Sequence, residues 1–470
     1  MNRHPKISAS QSFWQKPAQD QQNDCFAVSQ GENQLFHNGL IRWQALTGAE
    51  RFVGLAIVLA PVWWFISWSY MPLFMTIGLF AYHLVRHKQL GLTRPSLSVV
   101  ALLLFTGYLI VLYRLRVPDV GPAGIIGLLQ MWGTATALLW YVQSQKIRIR
   151  LTILAWAFSV VVLEAVLYWL FARFVLGEPF FIPSPNLIAT FLGNTTFRST
   201  QLGAVGNFLN PYNPSVRGPG GLVRYTFFFQ HPTISSQVFA FAVLIALDLK
   251  NRLWSSTVIG ASAFLILVCQ SRNVWLVLPI VVLVHWLITT GKTRGLSALM
   301  AALAIVSFVT LSIPQVTEKL ADRVTTTAEA TGNLRKDSTD VRRDIYIKTW
   351  ASILTEPPVI GHAVPGEEVV PGYEFGRVGT ESFILGTVYR AGFIGTGMFL
   401  VFLISFLAWL WRTRDDRPLC CFLMLLLLAL SSAVTEFSPL EAIILILCAI
   451  TYVPKLAQPK PKYRPKYRYV

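Results

Sequence analysis

The chain alternates long apolar runs with short polar breaks. A run of about seventeen or more apolar residues predicts a membrane-spanning helix, because an unpaired peptide group in hydrocarbon is too costly for an open, irregular segment. By that criterion about twelve spans begin near Phe52, Tyr70, Leu97, Ala123, Leu151, Ser235, Ser255, Val274, Leu296, Phe383, Leu419 and Leu440. Met71-Pro72 marks either a hairpin or a kink between the first two. The predicted fold is all-α: a polytopic integral membrane helical bundle with two long extracytoplasmic loops.

The breaks test this count independently. Arg86, Lys88 and Arg94 form one basic break. Lys146, Arg148 and Arg150 form another, and Lys250 with Arg252, Lys292 with Arg294, and Arg412, Arg414 with Arg417 continue the series. Every second break is short and basic, so the positive-inside rule predicts that these loops and both termini are cytoplasmic. Residues 1–50 are polar, rich in Gln, Asn and Ser and without an apolar signal core, and read as a cytoplasmic tail. Residues 51–454 read as the membrane domain, and 455–470 as a basic cytoplasmic tail suited to anionic membrane lipids. The opposite side receives the long loops 177–233 and 314–380 and the short turns Ser271–Asn273 and Thr435–Ser438. Arginines kept there, against the charge rule, ask for an anionic partner.

Composition agrees: of 470 residues 54% are hydrophobic and only 13% charged. The net charge of +17 falls between the apolar runs, which argues against a nucleic-acid partner. Five cysteines show no metal-ligand spacing, and no Walker sequence or dinucleotide fingerprint appears, so neither metal nor cofactor is predicted. Glu164, within VVVLEAVLYW, is costly at membrane depth unless protonated or paired.

Two stretches carry the candidate chemistry. RRDIYIKTWASILTEPPVIGHAVPG runs over 342–366, and GTESFILGTVYRAGFIGTG over 379–397. Arg343, Pro358 and Gly361, then Leu385, Gly392 and Gly395, follow in type and spacing the pattern of the O-antigen ligase and polymerase superfamily, which this chain resembles. RYTFFFQHP (224–232) and QSRNVW (270–275) are similar to two further segments of that family, so the resemblance spans about 224–396. The chain also departs from it. Glu381 and Ser382 stand where the ligases carry His and Asn, Gly361-His362-Ala363 replaces Gly-x-Gly, and Thr233 follows Pro232 where Asn is common.

The resemblance implies a metal-independent, GT-C-type glycosyltransferase of the bacterial inner membrane. Its partners would be a polyprenyl-diphosphate-linked glycan donor, a glycan or lipid acceptor, and other polysaccharide-assembly proteins. Such transfer needs one group to hold a diphosphate and another to take the acceptor's proton. Arginine suits the first task, because its planar fork pairs with phosphate oxygens and keeps its charge near lipid. The binding candidates are Arg272, Arg343 with Arg342 as its substitute, Arg224 and His231. The blander roles are a snorkelling anchor for Arg272, pairing of Arg343 with Asp340 or Asp344, and surface charge for Arg224. For the proton, Glu381 is the first candidate and His362 the second. Glu381 is equally explained as an acid in the first helical turn behind a Thr380 N-cap. Arg390 is placed to face a cavity that Glu436 can approach. The other reading is a transporter of a small, bicarbonate-like anion or of a lipid-linked glycan on the same fold.

Overall fold

The computed structural model describes residues 35–37, 40–117, 123–176, 184–193, 208–213, 223–294, 304, 336–356, 358–369 and 376–454. The predicted span near Leu296, the tails beyond these limits, Cys25 and much of both long loops lie outside the described residues.

Helices dominate. In chain order they are α1 (Gly48–Val58), α2 (Ala60–Ile66), α3 (Met71–His87), α4 (Leu97–Arg116) and α5, which runs from Ala123–Leu128 through a π turn at Leu129–Gly133 into Thr134–Ser144. Then follow α6 (Leu151–Phe174), the short α7 (Leu187–Phe191), α8 (Pro232–Leu247), α9 (Arg252–Cys269) and α10 (Arg272–Arg294). α11 (Lys336–Thr355), α12 (Phe383–Arg412), α13 (Leu419–Ser431) and α14 (Pro439–Ile450) complete the set.

Among the described residues six helices are long and apolar enough to cross a membrane, and seven if α1 and α2, bent by 63°, form one span. α8, α13 and α14 are apolar but shorter. The chain is thus a multi-pass, mostly helical membrane protein, in which the twelve predicted spans are not each represented by a full-length helix. The first predicted span is broken rather than continuous, with Pro61 at the bend. Several starts fall earlier than the apolar pattern alone predicts, because a capping side chain opens the helix. Thr47 and Glu50 form a reciprocal capping box before α1, and the Asn251 side chain accepts from Trp254 N at 3.1 Å to open α9.

One end of the bundle is closed by polar groups. The two-residue strands β1 (Ile149–Arg150) and β4 (Thr451–Tyr452) pair in parallel, joining the start of α6 to the end of α14. Arg150, counted above in a basic cytoplasmic break, is buried. Its Nε lies 2.7 Å from Glu50 Oε1 and its Nη2 2.7 Å from Glu50 Oε2, a two-pronged pair between α1 and α6. Arg417 donates to the carbonyls of Cys448 and Thr451, each at 3.2 Å, and its guanidinium lies over the Trp409 ring. Asp248, at the end of α8, accepts from Cys420 N at 2.7 Å and stands 3.1 Å from His285.

The opposite end carries the starts of α8, α10, α12 and α14. There an aromatic stack fixes the geometry: Trp132, turned inward by the π turn, packs between Phe105, Phe383, Phe399 and Phe437 at centroid distances of 5.2–5.8 Å. Phe383 begins α12 and Phe437 sits in the turn between α13 and α14, so this stack holds those two elements together. Cys269, Cys420, Cys421 and Cys448 are buried and unbridged.

Candidate functional site

Charged side chains converge where α11 lies beside the start of α12. On α11, Arg342, Tyr346 and Thr349 follow at i, i+4 and i+7 and so share one face. Each holds the segment leading into α12. Arg342 Nη2 is 2.8 Å from Glu381 Oε2, the Tyr346 hydroxyl donates to the Glu381 carbonyl at 3.1 Å, and Thr349 Oγ1 accepts from Gly379 N at 2.9 Å.

Glu381 differs from its sequence expectation in one respect. It lies outside the helix, with φ of +66°, and Ser382 is the N-cap, its hydroxyl accepting from Leu385 N at 3.3 Å. The carboxylate therefore does not cap α12 but reaches Arg342. Its side chain is only 13% exposed, against 34% for that of Arg342.

A second ion pair flanks the first. Arg390 Nη2, two turns into α12, lies 2.8 and 3.1 Å from the oxygens of Glu436. Gly386 makes room for it, since a Cβ there would lie 2.8 Å from Arg390 Nη2 and 2.6 Å from the Gly379 carbonyl. Tyr346 joins the two pairs electrostatically. Burial pushes its phenol above the ordinary value, the carboxylates of Glu381 and Glu436 add to that, and Arg342 opposes it. The charge of Arg342 also bears on Arg272 at the start of α10. Arg272, Arg342, Arg390, Glu381, Glu436 and Tyr346 thus form one neighbourhood of three cations, two carboxylates and a phenol.

The glycine-proline spacing is explained by an interlock beside this neighbourhood. α12 breaks at Gly392 (φ 66°, ψ −174°), and the segment Pro358–Ala363 runs into the break. The freed backbone is paired there: Phe393 N donates to Pro358 O at 2.9 Å and Ile394 N to Val359 O at 3.2 Å, while His362 N and Ala363 N donate to Tyr389 O and Arg390 O at 3.1 and 2.8 Å. A Cβ on Gly361 or Gly392 would meet the facing backbone at 2.5 Å. Gly395 gives the Tyr108 ring its place, and the Tyr108 hydroxyl donates to Ile360 O. Gly361 and Gly392 are therefore required by close backbone approach, with Pro358 supplying a carbonyl to the same contact, and Gly395 by the Ala391 methyl and the Tyr108 ring.

The remaining predicted residues lie apart or act locally. Arg343 points away from Glu381: its side chain is 66% exposed, 3.6 Å from Asp344 and 3.9 Å from Asp340. His362 stacks on the Tyr389 ring at 4.3 Å, and its Nε2 is buried without a hydrogen-bond partner. Arg224 is buried in β3 (Arg224–Tyr225), which pairs with β2 (Tyr212–Asn213), and its charge bears on Cys269. The His231 ring accepts from Thr233 N at 3.2 Å and caps α8. Tyr346 and Thr349 were not singled out by sequence reasoning. Their signal was the Arg-x-x-x-Tyr-x-x-Thr spacing, which gains meaning only once the partner segment is known. Among the described residues no group of three or more His, Cys, Asp or Glu side chains is placed to hold a metal ion.

The family model described as O-antigen ligase matches residues 256–383, from within α9 through α10 and α11 to the first residue of α12. Arg272, Arg342, Arg343, Tyr346, His362 and Glu381 fall inside this match, whereas Arg390 and Glu436 lie beyond it. No curated protein matches the chain significantly. The match at residues 256–383 supports the resemblance of this chain to the O-antigen ligase and polymerase superfamily.

Proposed function

We propose that this protein is a membrane glycosyltransferase that moves a glycan from a polyprenyl-diphosphate donor to a sugar hydroxyl on a growing polysaccharide or a lipid. It would work on the periplasmic face of the bacterial inner membrane, with both termini cytoplasmic. The observation that carries this reading is the pairing of Arg342 with Glu381, inside the matched domain and beside Arg272. Diphosphate release leaves negative charge on a leaving group at the membrane surface, and the charges of Arg272 and Arg342 bear on each other there. An anion beside Arg272 and Arg342 would be stabilised by both charges. Glu381, partly buried and paired with the same arginine, would take the acceptor's proton while the diphosphate departs. Arg342 is favoured over Arg343, whose charge is solvated and shared with two aspartates. Arg390 with Glu436, the second ion pair, would offer sugar hydroxyls both donors and acceptors.

The test is reconstitution of the full chain in liposomes with radiolabelled lipid-diphosphate glycan extracted from cells that carry the protein. Transfer or elongation of label, lost in Glu381→Gln, supports the reading. Flux of bicarbonate or another small anion without transfer would replace it with the transporter.

A further inference from the structure

Glu381 occupies the left-handed backbone region, at φ +66°, which a residue with a Cβ seldom adopts. Such a conformation persists only where its surroundings over-determine it. The neighbours are tied on both sides. Before it, Gly379 N donates to Thr349 Oγ1 at 2.9 Å and Thr380 N to Arg377 O at 3.2 Å. After it, Phe383 N donates to Thr435 O at 3.1 Å and Ile384 N to Ser432 O at 3.2 Å. On the Glu381 peptide itself, the described side-chain bond is that of the Tyr346 hydroxyl, which donates to the Glu381 carbonyl at 3.1 Å.

We propose that Tyr346 is a positioning residue of this site: its hydroxyl holds the Glu381 peptide in the left-handed conformation that aims the carboxylate at Arg342. The inference rests on the glycosyl-transfer reading above. Arg342 and Tyr346 stand one turn apart on α11, so a single helix fixes both the backbone and the carboxylate of Glu381. The phenol does not itself move the proton, because it donates to a peptide carbonyl, and burial beside two carboxylates keeps it protonated. Without the hydroxyl, the Glu381 peptide loses its own tether and can shift between the ties on either side, which misaligns the carboxylate against Arg342.

Tyr346→Phe removes this one bond and keeps the ring packing. In the reconstituted full chain, kcat for transfer from the extracted lipid-linked glycan should fall roughly 10–100-fold, the scale expected for a misplaced reacting group. KM for that donor, and affinity for farnesyl diphosphate as a probe of the arginines, should stay within about twofold, since Arg272 and Arg342 are untouched. A kcat at the parent level, or a rise in donor KM with kcat preserved, overturns the proposal. Thr349→Val, which removes the acceptor under Gly379, gives a smaller loss of kcat in the same direction; it serves if the phenylalanine variant fails to fold, and a parental kcat there overturns the proposal equally. Full transfer by Glu381→Gln is a different failure: it removes the proton-accepting role from Glu381 itself, and positioning falls with it.

Discussion

Arg342 and Arg343 are adjacent in sequence and opposite in circumstance. The spacing of the family pattern selected Arg343, and the helix turns that residue towards Asp340, Asp344 and solvent while directing Arg342 to Glu381. Sequence alone leaves the two indistinguishable, because a shift of one residue rotates a side chain by about 100° around a helix and the partner that sets the phase lies nearly forty positions away. Removing a preorganised cation from a developing anion typically costs two to three orders of magnitude in rate. Arg342→Ala should therefore lower transfer by about 10²-fold or more in the reconstituted assay, and Arg343→Ala should leave it within about threefold. Equal losses would show that the helix presents its other face to the donor.

At the scale of elements, the apolar pattern located most helices to within a few residues, since lipid imposes a single backbone solution on any long apolar run. It failed where a helix is broken or short. The bend between α1 and α2, the π turn inside α5 and the interruption at Gly392 all leave apolar composition unchanged, so hydropathy passes over them. The motif spacing was legible but its meaning was not: Pro358, Gly361, Gly392 and Gly395 belong to a backbone interlock that places the loop. A Cβ at Gly392 would add a strained φ, of order 1–3 kcal/mol, to a 2.5 Å approach to Pro358 O. Gly392→Ala is accordingly expected to destabilise the detergent-solubilised protein by about 2 kcal/mol or more. Thermal unfolding measures this, together with a loss of transfer that Gly397→Ala, in open space on the same helix, does not cause.

For the whole molecule, the two ends of the bundle use charge differently. At the site end, both ion pairs are partly exposed, with side chains between 13% and 40% accessible. At the other end, Glu50 and Arg150 are sealed, with side chains 1% and 5% exposed. Breaking a buried pair strands the surviving charge, at a cost of about 3–5 kcal/mol, whereas replacing both partners with apolar groups is often tolerated. Arg150→Met alone should thus sharply lower the unfolding temperature, and Glu50→Leu with Arg150→Met should recover much of it. If the single and double variants melt alike, the pair is not what joins α1 to α6.

The interlock at Gly392 also makes distant amides exchange as one. His362 and Ala363 are pinned by carbonyls of α12, and Phe393 and Ile394 by carbonyls of the 358–363 segment, so none of the four can open to water until both strands of the contact separate. In hydrogen–deuterium exchange they are expected to share one protection factor across some thirty residues of sequence. A ligand that tightens the site would slow all four together.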